Sequence, residues 1–213
     1  MSRKNSVKMA EISGMPNVFE DPEKMKGDWY KSFFNNDQPL VLELGCGRGE
    51  YTISMGRRFP DRNFIGVDIK GPRIWKGAKA ALQENLKNVA FARFRIEYIT
   101  EKFPAESVSE IWIPFPDPFP RESKSGRRLS SPEFLARYKP LLKKDAILHF
   151  KTDSDALYEW TLQTYLDKGI ELLAYTDDLY QSEFLNENTG IPSKYEGIFM
   201  AEGKTIKYIQ FKI

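Results

Sequence analysis

Three stretches of this 213-residue chain hold residue types that could do chemistry together. The first is Val41-Leu42-Glu43-Leu44-Gly45-Cys46-Gly47-Arg48-Gly49-Glu50, an apolar run that breaks into three glycines spaced two apart. Glycines at that spacing allow positive φ and let the backbone approach a ligand that a side chain would block. Asp68 follows about 20 residues later, where an acid takes the ribose hydroxyls of a nucleotide. The second stretch is Pro114-Phe115-Pro116-Asp117-Pro118-Phe119-Pro120. Four prolines in seven residues exclude helix and central strand. A stiff loop with one carboxylate, Asp117, is good preorganisation for contact with a reacting group. The third stretch, Arg121-Glu122-Ser123-Lys124-Ser125-Gly126-Arg127-Arg128, sets four bases against one acid and suits a phosphate backbone.

These residues need elements to carry them. Residues 40–44 read as a buried strand, and Tyr51, Met55 and Phe59 give the next segment a helical apolar face. Residues 63–67 form a second strand with Asp68 at its carboxyl end. Ile74, Ala78, Ala81 and Leu82 mark a helix over 72–87, whose other side, Arg73, Lys76 and Lys79, reads as a solvated face. Strands follow at 89–94 and 108–113, so the proline loop sits at a strand end. Ser130 or Ser131 can cap the next helix. A strand at 146–150 ends in Lys151-Thr152-Asp153, and a helix, a strand at 170–175, an irregular stretch at 177–203 and a terminal strand with Ile209, Phe211 and Ile213 complete the chain. Alternating strands and helices predict an α/β fold, a largely parallel sheet with helices on both faces. Residues 1–38 are an extension, with the first dozen the least secured, and 39–213 form a single domain.

Composition narrows the function. Hydrophobic residues make up 41% and charged residues 29%, as in a globular protein. One cysteine and one histidine give no disulfide framework and no metal cluster. His149 reads as a packed strand residue and Cys46 as a small side chain inside the glycine turn. No signal segment or membrane span is visible, so a cytoplasmic protein without membrane or metal partners is expected. A net charge of +2 means that nucleic-acid binding must rest on a local cluster, which residues 121–128 supply.

The pattern E-x-G-x-G-x-G resembles the donor-binding loop of S-adenosylmethionine-dependent methyltransferases, and Glu50, where the dinucleotide fingerprint needs glycine, disfavours an NAD enzyme. With Pro16-Asn17-Val18-Phe19, the Phe115–Pro120 loop, Arg127-Arg128-Leu129, His149-Phe150-Lys151-Thr152-Asp153 and Ser193-Lys194-Tyr195-Glu196, the chain closely resembles the bacterial tRNA (guanine-N(7)-)-methyltransferases nearly end to end. The resemblance implies a Rossmann-like seven-stranded methyltransferase sheet, mostly parallel with an antiparallel C-terminal strand. It implies S-adenosylmethionine as donor and a guanine of the tRNA variable loop as acceptor. By the same resemblance Glu43, Gly45, Gly47 and Asp68 hold the donor, and Asp117 is catalytic and lies beside it. Arg121, Asp153, Ser193, Lys194, Tyr195 and Glu196 contact substrate, and Lys124, Arg127 and Arg128 contact RNA.

Five positions depart from the family pattern. Phe94-Arg95 stands where many members have Gly-Asp or Gly-Asn, leaving Glu97 to take the adenine contact. Arg121 replaces a lysine, Ser193 a threonine and Phe119 a tryptophan. Two rival readings are an amino-methyltransferase, whose D/N-P-P-aromatic loop lacks its second proline here, and a noncatalytic RNA-binding protein on the same fold. Monomer and homodimer are both open.

Overall fold

The computed structural model describes residues 3–20, 25–191 and 194–213, with all their side chains except those of residues 3, 4, 194 and 195. Helix α1 (Arg3–Ile12), the two-residue strand β1 (Val18–Phe19) and the short helix α2 (Lys31–Phe34) precede the first long strand. The chain then alternates: β2 (Leu40–Leu44), α3 (Glu50–Arg58), β3 (Asn63–Asp68), α4 (Gly71–Gln83), β4 (Val89–Arg93), β5 (Val108–Pro114), α5 (Pro132–Tyr138), β6 (Leu142–Thr152) and α6 (Asp155–Asp167). It closes with β7 (Glu171–Thr176), α7 (Lys194–Ala201) and β8 (Lys207–Lys212). The strands form one eight-stranded sheet in the order β1-β4-β3-β2-β5-β6-β8-β7. Every neighbouring pair is parallel except β8 with β6 and with β7. The seven expected strands are present, and β1, from the N-terminal extension, adds an eighth at the edge.

The pleat sorts the core into two layers. Leu40, Leu42 and Leu44 of β2 join Ile65, Val67, Ile111, Leu148 and Phe150 on one face, with Phe134 and Tyr138 of α5 and Tyr165 of α6 against them. Val41 joins Phe64, Phe91, Trp112 and Tyr208 on the other, under Ile53 of α3 and Ile74 and Ala78 of α4. Glu43 shares the Val41 face by the period of two, which points it at α3. Leu82, expected in the buried face of α4, is 42% exposed because the helix ends one residue later, past the sheet.

Helix α1 (Arg3–Ile12) docks on α4, with Ile12 fully buried. Gly71 makes room: a Cβ there would lie 2.5 Å from Met9 Sδ and 2.8 Å from Ile12 Cδ1. The irregular 177–203 stretch also contains α7. His149 is packed as expected, stacked on Trp112 at 3.9 Å with its Nδ1 2.7 Å from the Tyr208 hydroxyl.

Candidate active site

In a sheet of this order the chain runs outward in both directions from the β2/β5 pair, and ligands bind beyond the carboxyl ends of such a switch point. A cleft of about 910 Å³ opens there, within the usual range for small-molecule sites. Its lining includes Gly45, Gly47, Asp68, Asp117 and Asp153, so residues far apart in sequence meet in one place.

One wall is the glycine loop between β2 and α3. Gly45, Gly47 and Gly49 all have positive φ, of 76°, 55° and 70°. At Gly49 the requirement is doubled, since a Cβ would sit 2.3 Å from Phe91 Cε1. Two carboxylates brace the loop from below. Glu43 Oε2 accepts the Thr52 backbone N–H at 2.7 Å and the Thr52 hydroxyl, tying β2 to the first turn of α3. Burial raises the Glu43 carboxyl to about 8, against the lowering effect of these two hydrogen bonds. Asp68 Oδ2 accepts from Gly47 N at 2.9 Å and Oδ1 from Lys70 N at 2.8 Å. Each Asp68 oxygen keeps a second lone pair for a ligand hydroxyl. Cys46 is buried beneath the turn, and burial pushes its thiol well above the ordinary range, which makes it a poor nucleophile.

The facing wall is the proline loop. Phe115 and Phe119 both have positive φ, 51° and 40°, a conformation that a bulky side chain disfavours. Asp117 stands between them. It is exposed to the cleft and has no hydrogen-bond or ion-pair partner among the described residues. The loop is anchored at both ends. Phe115 N donates to the Lys151 carbonyl at 2.8 Å. The Arg128 guanidinium donates to the carbonyls of Pro118 at 3.2 Å and Phe119 at 3.1 Å, and lies 4.2 Å over the Trp160 ring.

The flanks are charged. Arg95 pairs with Glu97 at 2.9 Å on the cleft edge, so that carboxylate already has a charged partner. Asp153 Oδ2 accepts from Lys204 at 3.1 Å, and the Arg127 guanidinium lies 4.9 Å over Phe119.

A family described as "Putative methyltransferase" matches residues 37–209. A tRNA (guanine-N(7)-)-methyltransferase of Christiangramia forsetii is 50% identical over 198 residues, covering 92% of this chain and 87% of that protein. The chain belongs to the tRNA (guanine-N(7)-)-methyltransferase family. A second member, from Bacteroides fragilis, is 45% identical over 99% of this chain and 86% of its own length. In fold the chain is similar to the 16S rRNA methyltransferase KamB, with a TM-score of 0.65 at 18% identity, covering 87% of this chain and 92% of that one. Among the described residues no helix is long and apolar enough to cross a membrane.

The remaining expected site residues divide. Arg121 and Lys124 are exposed outside the cleft lining and have no ion-pair partner among the described residues. Ser193 lies outside the described residues, and Lys194 and Tyr195 are placed only as the start of α7. Two expectations meet a different environment. Arg128, grouped with the RNA contacts, is 5% exposed and spends its donors on the proline loop. Glu196, grouped with the substrate contacts, is fully buried, 2.5 Å from the Lys151 ammonium, and accepts the Tyr180 hydroxyl at 3.0 Å. Thr52 and Arg128 escape a motif reading because their partners are set by folding. Lys70 and Arg73 line the cleft with no sequence signal beyond a charged helix face.

Proposed function

We infer that this chain transfers the methyl group of S-adenosylmethionine to the N7 atom of a guanine in tRNA. The observation that carries the reading is the position of Asp117: a carboxylate without a partner among the described residues, on a doubly anchored loop that lines the same cleft as the glycine turn. Family membership supports the acceptor, and the loop pattern supports the donor.

The residues present fit the donor chemically. It carries a ribose, an adenine and a methyl group on a positively charged sulfur, and it supplies that methyl group when bound. The glycine loop leaves backbone space, Asp68 offers free lone pairs at the end of β3, and Glu43 fixes the loop from beneath. Glu97 is the carboxylate placed to reach an adenine edge once it turns from Arg95. A cleft with acids on both walls suits a cationic ligand.

Guanine N7 has a lone pair and no proton, so attack needs no general base. The purine gains a positive charge as the carbon–nitrogen bond forms. Asp117 then holds the guanine edge by hydrogen bonding and stabilises the growing charge, so alignment and electrostatics do the catalysis. Arg128 is a positioning residue that holds the Asp117 loop. Asp153 and Arg127 also line the cleft and would serve a substrate nucleotide there. Lys124 and Arg121 extend that bank outward for the RNA backbone.

The test is methyl transfer from labelled S-adenosylmethionine to unmodified bulk tRNA, followed by nucleoside separation. Label in 7-methylguanosine is expected. Label in another nucleoside overturns the acceptor, and tRNA binding without transfer favours the noncatalytic reading.

A further inference from the structure

The exposed side of α4 looks at first like any solvated helix face. Its 13 residues contain Arg73, Lys76 and Lys79 and no acid, and Lys70 precedes the first turn. Several other basic side chains are paired with carboxylates: Arg57 with Glu84, Arg62 with Glu110, Arg93 with Glu20. Among the described residues Lys70, Arg73, Lys76 and Lys79 have no such partner. In a chain of 30 acids, an acid-free stripe is a local property that the net charge of +2 conceals.

Helix α1 adds to it. Lys8 and Lys79 each place an ammonium 4.8 Å from the centroid of the Trp75 ring. Glu11 accepts the Trp75 indole N–H at 2.5 Å, so a carboxylate also meets that ring. Contact with the indole holds both ammonium groups on this face and costs them rotamer freedom before anything binds, so a phosphate that meets either one loses little further entropy.

The stripe also has a direction. Lys70 and Arg73 line the cleft, while Lys76 and Lys79 carry the charge away from its mouth. Successive bases are about 4.5 Å apart along the helix axis, close enough for one backbone to meet them in turn. Helix α4 belongs to the β3–β4 half of the sheet, and the loop with Lys124 and Arg127 follows β5 on the other half. Basic side chains therefore flank the acid-bearing cleft on both banks.

We propose that the α1/α4 face, centred on Lys76, Lys79, Lys8 and Trp75, is a second phosphate-contact surface, so that the RNA backbone is gripped on both sides of the cleft. This rests on the proposed tRNA substrate and adds to it where the body of that RNA lies. The phosphates meet lysines, so the surface supplies affinity and orientation with no choice of base.

The experiment is equilibrium binding of unmodified tRNA to the full chain across a potassium chloride series, for the wild type and for Lys76→Gln with Lys79→Gln. Neither residue lines the cleft, so donor affinity stays unchanged. The dissociation constant for tRNA rises about tenfold near physiological salt, and the slope of its logarithm against log salt flattens by roughly 1.5 to 2. A control, Lys139→Gln with Lys144→Gln and Lys168→Gln, neutralises a lysine group around a separate hollow, and leaves the slope as it is. An unchanged slope in the α4 variant overturns the proposal, and so does an equal change in the control, which would mean diffuse charge alone. Binding is read separately from methylation. A wild type that binds tRNA without making 7-methylguanosine would sink the functional reading while the α4 slope still decides this one. A wild type that does not bind tRNA overturns both.

Discussion

Arg128 Nε donates to the main-chain carbonyl of Pro118 at 3.2 Å, next to the residue that carries the free carboxylate of the cleft. The same guanidinium reaches the Phe119 carbonyl and stacks on Trp160. A proline-rich loop has few N–H groups of its own for pairing, so its carbonyls need a donor from elsewhere. Arg128 is that donor, and its planar fork lets one side chain serve two carbonyls. It also holds the strained Phe119 backbone against relaxation. Arg128→Ala is expected to lower kcat about a hundredfold while donor affinity stays near wild type. Arg128→Lys keeps the charge, loses the fork and rescues little. Hydrogen bonds from a buried charged group contribute about 1.5–3 kcal/mol, so thermal denaturation should show a loss of that order. Equal fall-off in donor binding and turnover would mean general collapse of the cleft rather than loop placement.

Asp117 is the residue for which this placement matters. Asp117→Asn keeps the shape and a hydrogen-bond acceptor and removes the charge. If charge stabilisation dominates, kcat falls about 10²–10³-fold, the size seen when one preorganised electrostatic contact is lost. The donor dissociation constant and the melting temperature should hardly move, because Asp117 has no partner among the described residues to lose. Single-turnover kinetics at saturating donor and tRNA separate this from weaker binding. Unchanged turnover would remove Asp117 from the mechanism.

Much of this site is legible in the chain itself, for a physical reason. The glycine spacing, Asp68 at a strand end and the prolines around Asp117 are demands of the local backbone, and local demands leave local marks. What is hidden depends on partners brought by folding. Arg127 and Arg128 are adjacent and identical in type, and folding brings the Pro118 and Phe119 carbonyls and the Trp160 ring to Arg128 alone, which is buried while Arg127 is exposed. Glu196 reads as a polar loop residue until Lys151, 45 positions earlier, is set beside it. Helix α1 looks unsecured because its dock is a missing side chain at Gly71. Helix α7 contains Gly197 and mixes apolar with polar residues, so periodicity alone does not reveal it.

Glu43 gives the protein a pH-dependent stability. Its carboxyl is raised by burial from 4.5 to about 8, so the folded state binds the extra proton through that window. The stabilisation is complete below the ordinary carboxylate value and is lost as pH rises toward about 8. Each unit of that window is worth at most about 1.4 kcal/mol. Glu43→Gln is neutral at every pH and keeps an acceptor for Thr52 N. Relative to this variant, the wild type should lose stability steadily between about pH 5 and 8 and level off above. Chemical denaturation of both proteins at four or five pH values measures the difference. Parallel curves would show that Glu43 titrates in its ordinary range.

The Lys151–Glu196 pair separates a structural role from a substrate role at α7. Both side chains are fully buried, 2.5 Å apart, and the ammonium also donates to the Thr189 carbonyl at 2.9 Å. Burial lowers the Lys151 pKa, with Glu196 opposing, so the pair exists at the expense of two desolvated charges. Removing one partner strands the other. Glu196→Gln is therefore expected to destabilise the fold by about 3 kcal/mol, visible as a lower melting temperature with or without RNA. Lys151→Met combined with Glu196→Leu removes both charges and should recover much of that loss, since a packed apolar pair avoids the desolvation. Phe115 lies 5.9 Å from the same ammonium, so the single variant also loosens the root of the proline loop and lowers kcat more than it raises the KM for tRNA. A Glu196→Gln protein that melts like the wild type yet binds tRNA poorly would place Glu196 on the substrate, reached by an opening of α7.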